Sequence, residues 1–386
     1  MQWLARHDYD CTVLTAYPYY PHWCVQPPYA ANKWRYTTGY MHFEDGKRLL
    51  VHRVPMYVPA TPSGLKRIML DISFSCTAFF KLLLLFTHSK YDVVLTIAPS
   101  FHVGLLGVLG KRIWRAKLLY HIQDMQIEVA QSLRMITSRK VIEWLFKIEK
   151  YILKQADTIS SISEGMASRI AQKAQKEVVL FPNWVDTKLI YPLSGRAALK
   201  ESFGLSAAHT VLLYSGAIGE KQGLQAILLA AKEFAQHAAL QFVICGSGPY
   251  LKTLQLEAAR LQVANVRFLP LQPPERLNAL LNMADVHFVM QKASASDLVM
   301  PSKLTNILAV GGLALITANP DSGLYQLVAK HRMGVLVAAE NQAALHEGIR
   351  FALTQNTAAL TQQARAYAER HLTIDAVMQR FVAQAM

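Results

Sequence analysis

Three short stretches in the second half of the 386-residue chain carry residue types suited to holding phosphate. GAIGEKQG, residues 216–223, follows an apolar run and leads into a helical pattern, with Gly216, Gly219, Lys221 and Gly223 in sequence. Glycines let backbone approach a ligand, a helix start favours an anion, and Lys221 adds a full positive charge. The spacing is neither G-x-G-x-x-G nor a P-loop, so by itself it reads first as an ordinary surface turn. GSGP, with Gly246 and Gly248, is a tight turn against which a flat ring could lie. In MPSKLTNILAVGG, Pro301 suits the first position of a helix and leaves the amides of Ser302 and Lys303 free for a phosphate. Ser302 and Asn306 stand four apart on one helical face. The plainer reading of this stretch is a capped helix with an exposed lysine. Three such helix starts on one side of one sheet point to a nucleotide diphosphate.

Those stretches need a sheet to position them. TVLLYS, LQFVIC, VRFLP, DVHFVM, LALITA and GVLVA are apolar runs separated by helical patterns of 10–15 residues, the mark of a parallel sheet covered on both faces. The first half repeats the alternation less regularly in CTVLTA, LLVHRV, DVVLTI, KLLYHI, TISSI and VVLF. Two doubly wound α/β domains, joined through the turn-rich residues 181–194, follow from this pattern, with ligands expected at the carboxyl ends of the strands. His121 ends one strand, with Gln123 and Asp124 close behind it. Such a histidine reads as a satisfied core residue. Asp8 and Asp10 flank Tyr9 ahead of a strand rather than after one, and read as a turn.

Composition narrows the partners. Residues 1–205 hold 26 Lys and Arg against 15 Asp and Glu, whereas residues 206–386 hold 14 against 11. A basic first half suits a phosphorylated ligand or an anionic membrane surface. Its cations are dispersed and no nucleic-acid-binding signature accompanies them, so nucleic acid is not expected. Cys11, Cys24, Cys76 and Cys245 have no metal spacing and read as reduced thiols, mostly in the core, of a cytoplasmic protein. Residues 65–86, LKRIMLDISFSCTAFFKLLLLF, are barely long enough to cross a bilayer and are interrupted by Asp71 and Lys81. They read either as a buried helix or as one whose outer face rests in lipid headgroups, with Lys66, Arg67 and Lys81 on anionic lipid.

Taken in order, YSGAIGEKQGL, VICGSGP, FPNWVD and MPSKLTNILAVGG, with AYPYYP and LLYHIQDM in the first half, resemble a retaining glycosyltransferase of the GT-B fold, family 4. The resemblance covers nearly the whole chain and lies with the branch serving colanic acid exopolysaccharide synthesis. It implies two Rossmann-like domains facing a cleft: 1–192 for the acceptor and 193–370 for a nucleotide-diphosphate sugar. Residues 371–386 would form a helix returning to the first domain. It implies that Lys221 holds the donor diphosphate and that Gly246 and Gly248 lie beside the base. An arginine of many relatives is replaced by Gly216. Of two glutamates eight residues apart, the second is Asn306, whose amide can still bond a hydroxyl. The first falls on Leu298, beside Asp297, and Lys303 is expected to replace lost diphosphate contacts. His121, with Asp124, is placed by the same resemblance near the sugar and the acceptor hydroxyl.

The implied activity is transfer of a sugar to a lipid-diphosphate-linked saccharide, without metal or cofactor, by an enzyme peripheral to the inner face of the cytoplasmic membrane. GDP-fucose is suggested as donor by the resemblance alone. Two alternatives stay open: a catalytically weak sugar-nucleotide-binding member of an assembly complex, and an epimerase on the same fold. Residues 2–7 read as the end of a helix that relatives precede with a strand and a glycine loop. About 25 further residues are therefore expected ahead of Met1, enough for a strand, a loop and the rest of a helix.

Overall fold

The computed structural model describes the chain apart from residues 21, 62, 88, 99, 133–135, 137 and 294–300. It divides into two compact units, one of Met1–Ser161, Ile170–Val179 and Phe381–Met386, the other of Ile162–Arg169 and Leu180–Arg380.

The first unit has strands β1 (Thr12–Ala16), β2 (Thr37–His42), β3 (Arg48–Val54), β4 (Val93–Ala98), β5 (Lys117–Ile122) and β6 (Thr158–Ser161); β7 (Val178–Leu180) runs to its boundary with the second. They form two sheets, β1-β3-β2 and β4-β5-β6-β7. Within these sheets β1 and β4 each have a hydrogen-bonded neighbour on one side only. Strand β2 departs from the all-parallel expectation, pairing antiparallel with β3 from Thr37↔Arg53 to His42↔Arg48. The signal was an Asp-Gly turn between two runs of strand-forming residues: Gly46 takes φ +79° and Phe43 N–H donates to the Lys47 carbonyl at 3.0 Å. The Asp8 turn is as expected, with its carboxylate accepting from Lys47 Nζ at 2.7 Å.

Helix Gly64–Phe86 buries one stripe, Leu70, Ala78, Leu82 and Leu85, and Ser63 caps its start. The buried-helix reading therefore fails for most of its surface. Leu65 is 70% exposed, Phe80 60% and Leu84 62%, with Ile68, Met69, Ile72 and Phe86 also exposed. Among the described residues it is the one helix long and apolar enough to cross a membrane by length and composition. The cysteines divide evenly, Cys11 and Cys245 buried and Cys24 and Cys76 exposed, so the expectation that most are core residues is corrected.

The second unit carries β8 (Thr210–Ser215), β9 (Leu240–Cys245), β10 (Val266–Leu269), β11 (Val286–Val289), β12 (Ala314–Thr317) and β13 (Val335–Val337). All pair in parallel, in the order β10-β9-β8-β11-β12-β13. Along β8, Val211 and Leu213 pack into one core while Leu212 and Tyr214 pack into another across the sheet. Two covered faces explain why these strands are apolar throughout rather than alternating. The strand order reverses direction between β8 and β11, and that switch point opens a crevice at their carboxyl ends.

Two devices fix the two ends of β8. At the end away from the crevice, Asp285 accepts from Val211 N–H at 2.8 Å, Lys200 Nζ at 2.8 Å and Arg196 Nη1 at 3.0 Å. At the crevice itself, the loops after β8 and β9 are stitched together: Gly216 N–H donates to Cys245 O at 2.9 Å and Ile218 N–H to Ser247 O at 2.8 Å. A Cβ on Gly246 would stand 1.9 Å from the Gly216 carbonyl oxygen, and one on Gly248 2.2 Å from that of Ile218.

Both devices are testable by urea unfolding. Asp285→Ala strands the buried Lys200 ammonium without its anion and should cost about 3–5 kcal/mol. Gly246→Ala forces a side chain onto backbone that cannot yield, and should cost about 2–4 kcal/mol. A midpoint equal to the parent's in either variant would contradict the role assigned to that contact.

Candidate functional site

The crevice holds a cavity of about 590 Å³ whose lining belongs wholly to the second unit. Tyr214, Ser215 and Gly216 come from β8 and its loop, Lys221 from the turn Glu220–Gln222, and Met290 and Gln291 from beyond β11. The last wall is Pro301–Lys303 with Thr305 and Asn306. Its described lining contains two lysines and no carboxylate.

Helix Lys303–Ala309 delivers that wall because Leu304, Ile307 and Leu308 face the core, at the spacing of one helical face. Ser302 and Asn306 are left on the cavity side, as their four-residue spacing implied. The helix begins two residues later than expected: Ser302 is its N-cap, and Pro301 precedes the cap instead of opening the helix, with its carbonyl accepting from Leu304 N–H at 3.0 Å.

Lys303 is not the exposed lysine of the plainer reading. Its Nζ is buried, has no hydrogen-bond partner among the described residues, and rests 3.5 Å from the centroid of the Tyr214 ring. Burial holds its ammonium down to about 7. Lys221, by contrast, is exposed at the cavity mouth, its carbonyl accepting from Lys292 N–H at 3.1 Å.

Of the other anticipated positions, Gly216 lines the cavity with φ +138°. Gly246 and Gly248 do not line it. Their lack of side chains is demanded by the facing loop. Asp297 and Leu298 lie outside the described residues. Lys66 and Arg67 sit at the start of helix Gly64–Phe86, with Lys66 Nζ donating to Thr61 Oγ1 at 3.0 Å and Arg67 5.3 Å above the Trp23 ring; Lys81 lies further along, half-buried.

His121 belongs to the first unit, in β5. It is 2% exposed, its Nδ1 is 3.0 Å from Ser160 Oγ, and burial lowers its pKa to about 4. The imidazole is therefore neutral at physiological pH. Asp124 is half-buried in the loop that follows. Residues that the spacing arguments missed are those that only a cavity reveals: Tyr214, whose hydroxyl donates to Ala217 O at 2.6 Å, and Asn183, Trp184 and Gln272 on its walls.

Against known proteins, residues 1–184 match the glycosyl transferase 4-like domain and residues 196–371 the glycosyl transferases group 1 family. The chain is 36% identical over 393 residues to WcaI of Escherichia coli (strain K12), a candidate colanic acid biosynthesis glycosyl transferase, covering 99% of this chain and 93% of that protein. Sucrose-phosphate synthase from Thermosynechococcus elongatus shares the fold, with a TM-score of 0.74 at 18% identity over 99% of this chain and 90% of that one. So does Anabaena Alr3699/HepE in complex with UDP-glucose, with a TM-score of 0.68 at 16% identity over 97% and 98%. Parallel strand order, crevice and matched domains agree: the chain belongs to the GT-B glycosyltransferases of family 4.

Proposed function

We propose that this glycosyltransferase moves a sugar, with retention, from a nucleotide-diphosphate sugar to a lipid-diphosphate-linked saccharide. The work would serve a colanic acid-like exopolysaccharide at the inner face of the cytoplasmic membrane. The observation that carries the donor is the cavity at the switch point, whose described lining is cationic and free of carboxylates. A diphosphate is the complementary ligand, and a neighbour of the same fold was crystallised with UDP-glucose. The exopolysaccharide rests on the likeness to WcaI.

In this reading Lys221 neutralises the leaving diphosphate, and Gly216, Ser302 and Lys303 surround it. The Asn306 amide bonds a donor hydroxyl without adding charge, and the turn of Gly246 and Gly248 holds the loop under the nucleotide. The acceptor oxygen bonds to the anomeric carbon from the leaving-group face as the bond to diphosphate breaks. The acceptor's proton passes to the departing diphosphate. The protein then acts by positioning and by stabilising charge. A neutral His121 suits a hydrogen-bonding group better than a base that must charge, with Asp124 as its polar neighbour.

The membrane part is supported by the first unit. Helix Gly64–Phe86 exposes an apolar face next to Lys66 and Arg67, and Tyr20 and Trp34 are exposed in the same unit. Apolar side chains, aromatic rings with a polar edge and cations are the components of a surface that lies in lipid headgroups.

A panel of nucleotide sugars incubated with a membrane extract tests the activity, the expected result being transfer of one sugar to lipid-extractable material. Lys221→Ala should lose about 2–4 kcal/mol of transition-state stabilisation in kcat/KM while its circular dichroism is unchanged. Equal turnover by the variant would remove Lys221 from the donor site. Sedimentation with anionic vesicles should fall as salt rises, and fall further when Lys66, Arg67 and Lys81 are all changed to Gln. Vesicle binding indifferent to salt and to lipid charge would reject the membrane face.

A further inference from the structure

Lys303 is an unusual lysine for the wall of a cavity. Its Nζ is buried and without a hydrogen-bond partner among the described residues, and its stem passes along the wall to bring that atom over the ring of Tyr214. A ring face seats a cation without neutralising it. The end of the side chain also fills the space above Gly216: a Cβ there would stand 3.1 Å from Nζ and 3.2 Å from Cε. A side chain at 216 would press on the end of the lysine, so the glycine leaves Nζ its place beside the loop after β8.

We propose that Lys303 is the residue that meets the diphosphate inside this cavity, and that it takes up a proton as the diphosphate binds. This rests on the donor reading above and adds to it the state in which the site waits. An ammonium at Nζ has no anion to answer it among the described residues. Tyr214 is held protonated by burial, with its hydroxyl donating to Ala217 O, and burial raises the Cys245 thiol to about 11. Asn306, on the same helix, is neutral. Lys221 across the cavity is a second cation, and Glu220, in the turn that carries it, faces Lys292 at 3.6 Å. Burial without a counter-charge therefore leaves the amine largely neutral above about pH 7. A diphosphate oxygen beside it supplies the missing anion and raises its proton affinity.

The sign follows from linkage. Above about pH 7 the free site lacks the proton and the occupied site holds it, so binding takes up a proton and weakens as pH rises. Below that value the free site is already charged and the uptake disappears. The device keeps two lysines from repelling each other in the empty cavity and supplies the second charge only when the ligand that needs it arrives.

The test is calorimetric titration of UDP and of GDP into the full chain at about pH 8, in Tris and in HEPES, whose ionisation enthalpies differ. Both nucleotides are fully ionised there, so a proton taken up lands on the protein. The wild type should take up close to one proton per nucleotide bound, by the linkage already stated. Lys303→Met should take up none and bind about 10- to 100-fold more weakly. Lys303→Arg, permanently charged, should retain binding within several-fold of the wild type yet take up no proton, an outcome that loss of structure cannot imitate. Binding with the same uptake in wild type and Lys303→Arg would overturn the inference and leave the donor reading standing. Failure of both nucleotides to bind the wild type would overturn the two together.

Discussion

The loops that follow β8 and β9 touch backbone to backbone, and that contact governs the shape of the cavity in the second unit. Because Gly246 and Gly248 offer no side chains, the Gly216 and Ile218 carbonyls come far inside the contact distance a Cβ would allow. The amides of Gly216 and Ile218 can then donate across to Cys245 and Ser247. A loop fixed in this way turns back over the sheet instead of running out into solvent. It carries Lys221 to the mouth of the cavity and leaves a bare glycine opposite Lys303. The same contact would be unavailable to chains with ordinary residues there, since the cost of displacing backbone is far larger than that of rearranging a side chain.

Charge is arranged around that frame with little redundancy. Lys221 is exposed, and its attraction for an anion is moderated by solvent. Lysine 303 is dry, so any charge it carries acts in a medium where electrostatic interactions are strong and uncompensated charge is expensive. Gly216 makes room for the second, and Asn306 and Ser302 add hydrogen-bonding groups of no net charge. A nucleotide-diphosphate sugar suits such a site because its charge is concentrated at the diphosphate.

The first unit shows the opposite treatment of charge. Lys173 is enclosed by Glu128, at 2.6 Å, and Glu149, and Lys111 bonds Asp157 at 2.6 Å. Burial raises the Glu149 carboxyl, with Lys173 pulling it back down. The Lys173 contacts tie together the helices that carry Lys173, Glu128 and Glu149, and the Lys111 pair ties helix Val103–Trp114 to the residue ahead of β6. The excess of basic residues remains available at the surface, where helix Gly64–Phe86 already presents apolar side chains. Exposed leucines and phenylalanines on that scale are not needed to fold the unit, because the buried stripe of Leu70, Ala78, Leu82 and Leu85 does that part.

Much of the framework was legible in the chain. Continuous apolar runs such as TVLLYS and LQFVIC, spaced by helical patterns, read as strands covered on both faces, since an exposed face brings alternation. The 304, 307 and 308 spacing placed Asn306 and Ser302 on the side away from the core. Order of motifs, more than any one of them, identified the family. Tertiary structure decided what depends on neighbours distant in sequence. Whether Gly246 faces a ligand or a carbonyl is set by residue 216, thirty positions away. Whether Lys303 is exposed, or buried with its ammonium held down to about 7, is set by Tyr214 and by the glycine at 216. Periodicity records which way a side chain leaves its helix; the protonation of that side chain depends on the dielectric and the partners it meets, and those exist only once the loops have closed around it.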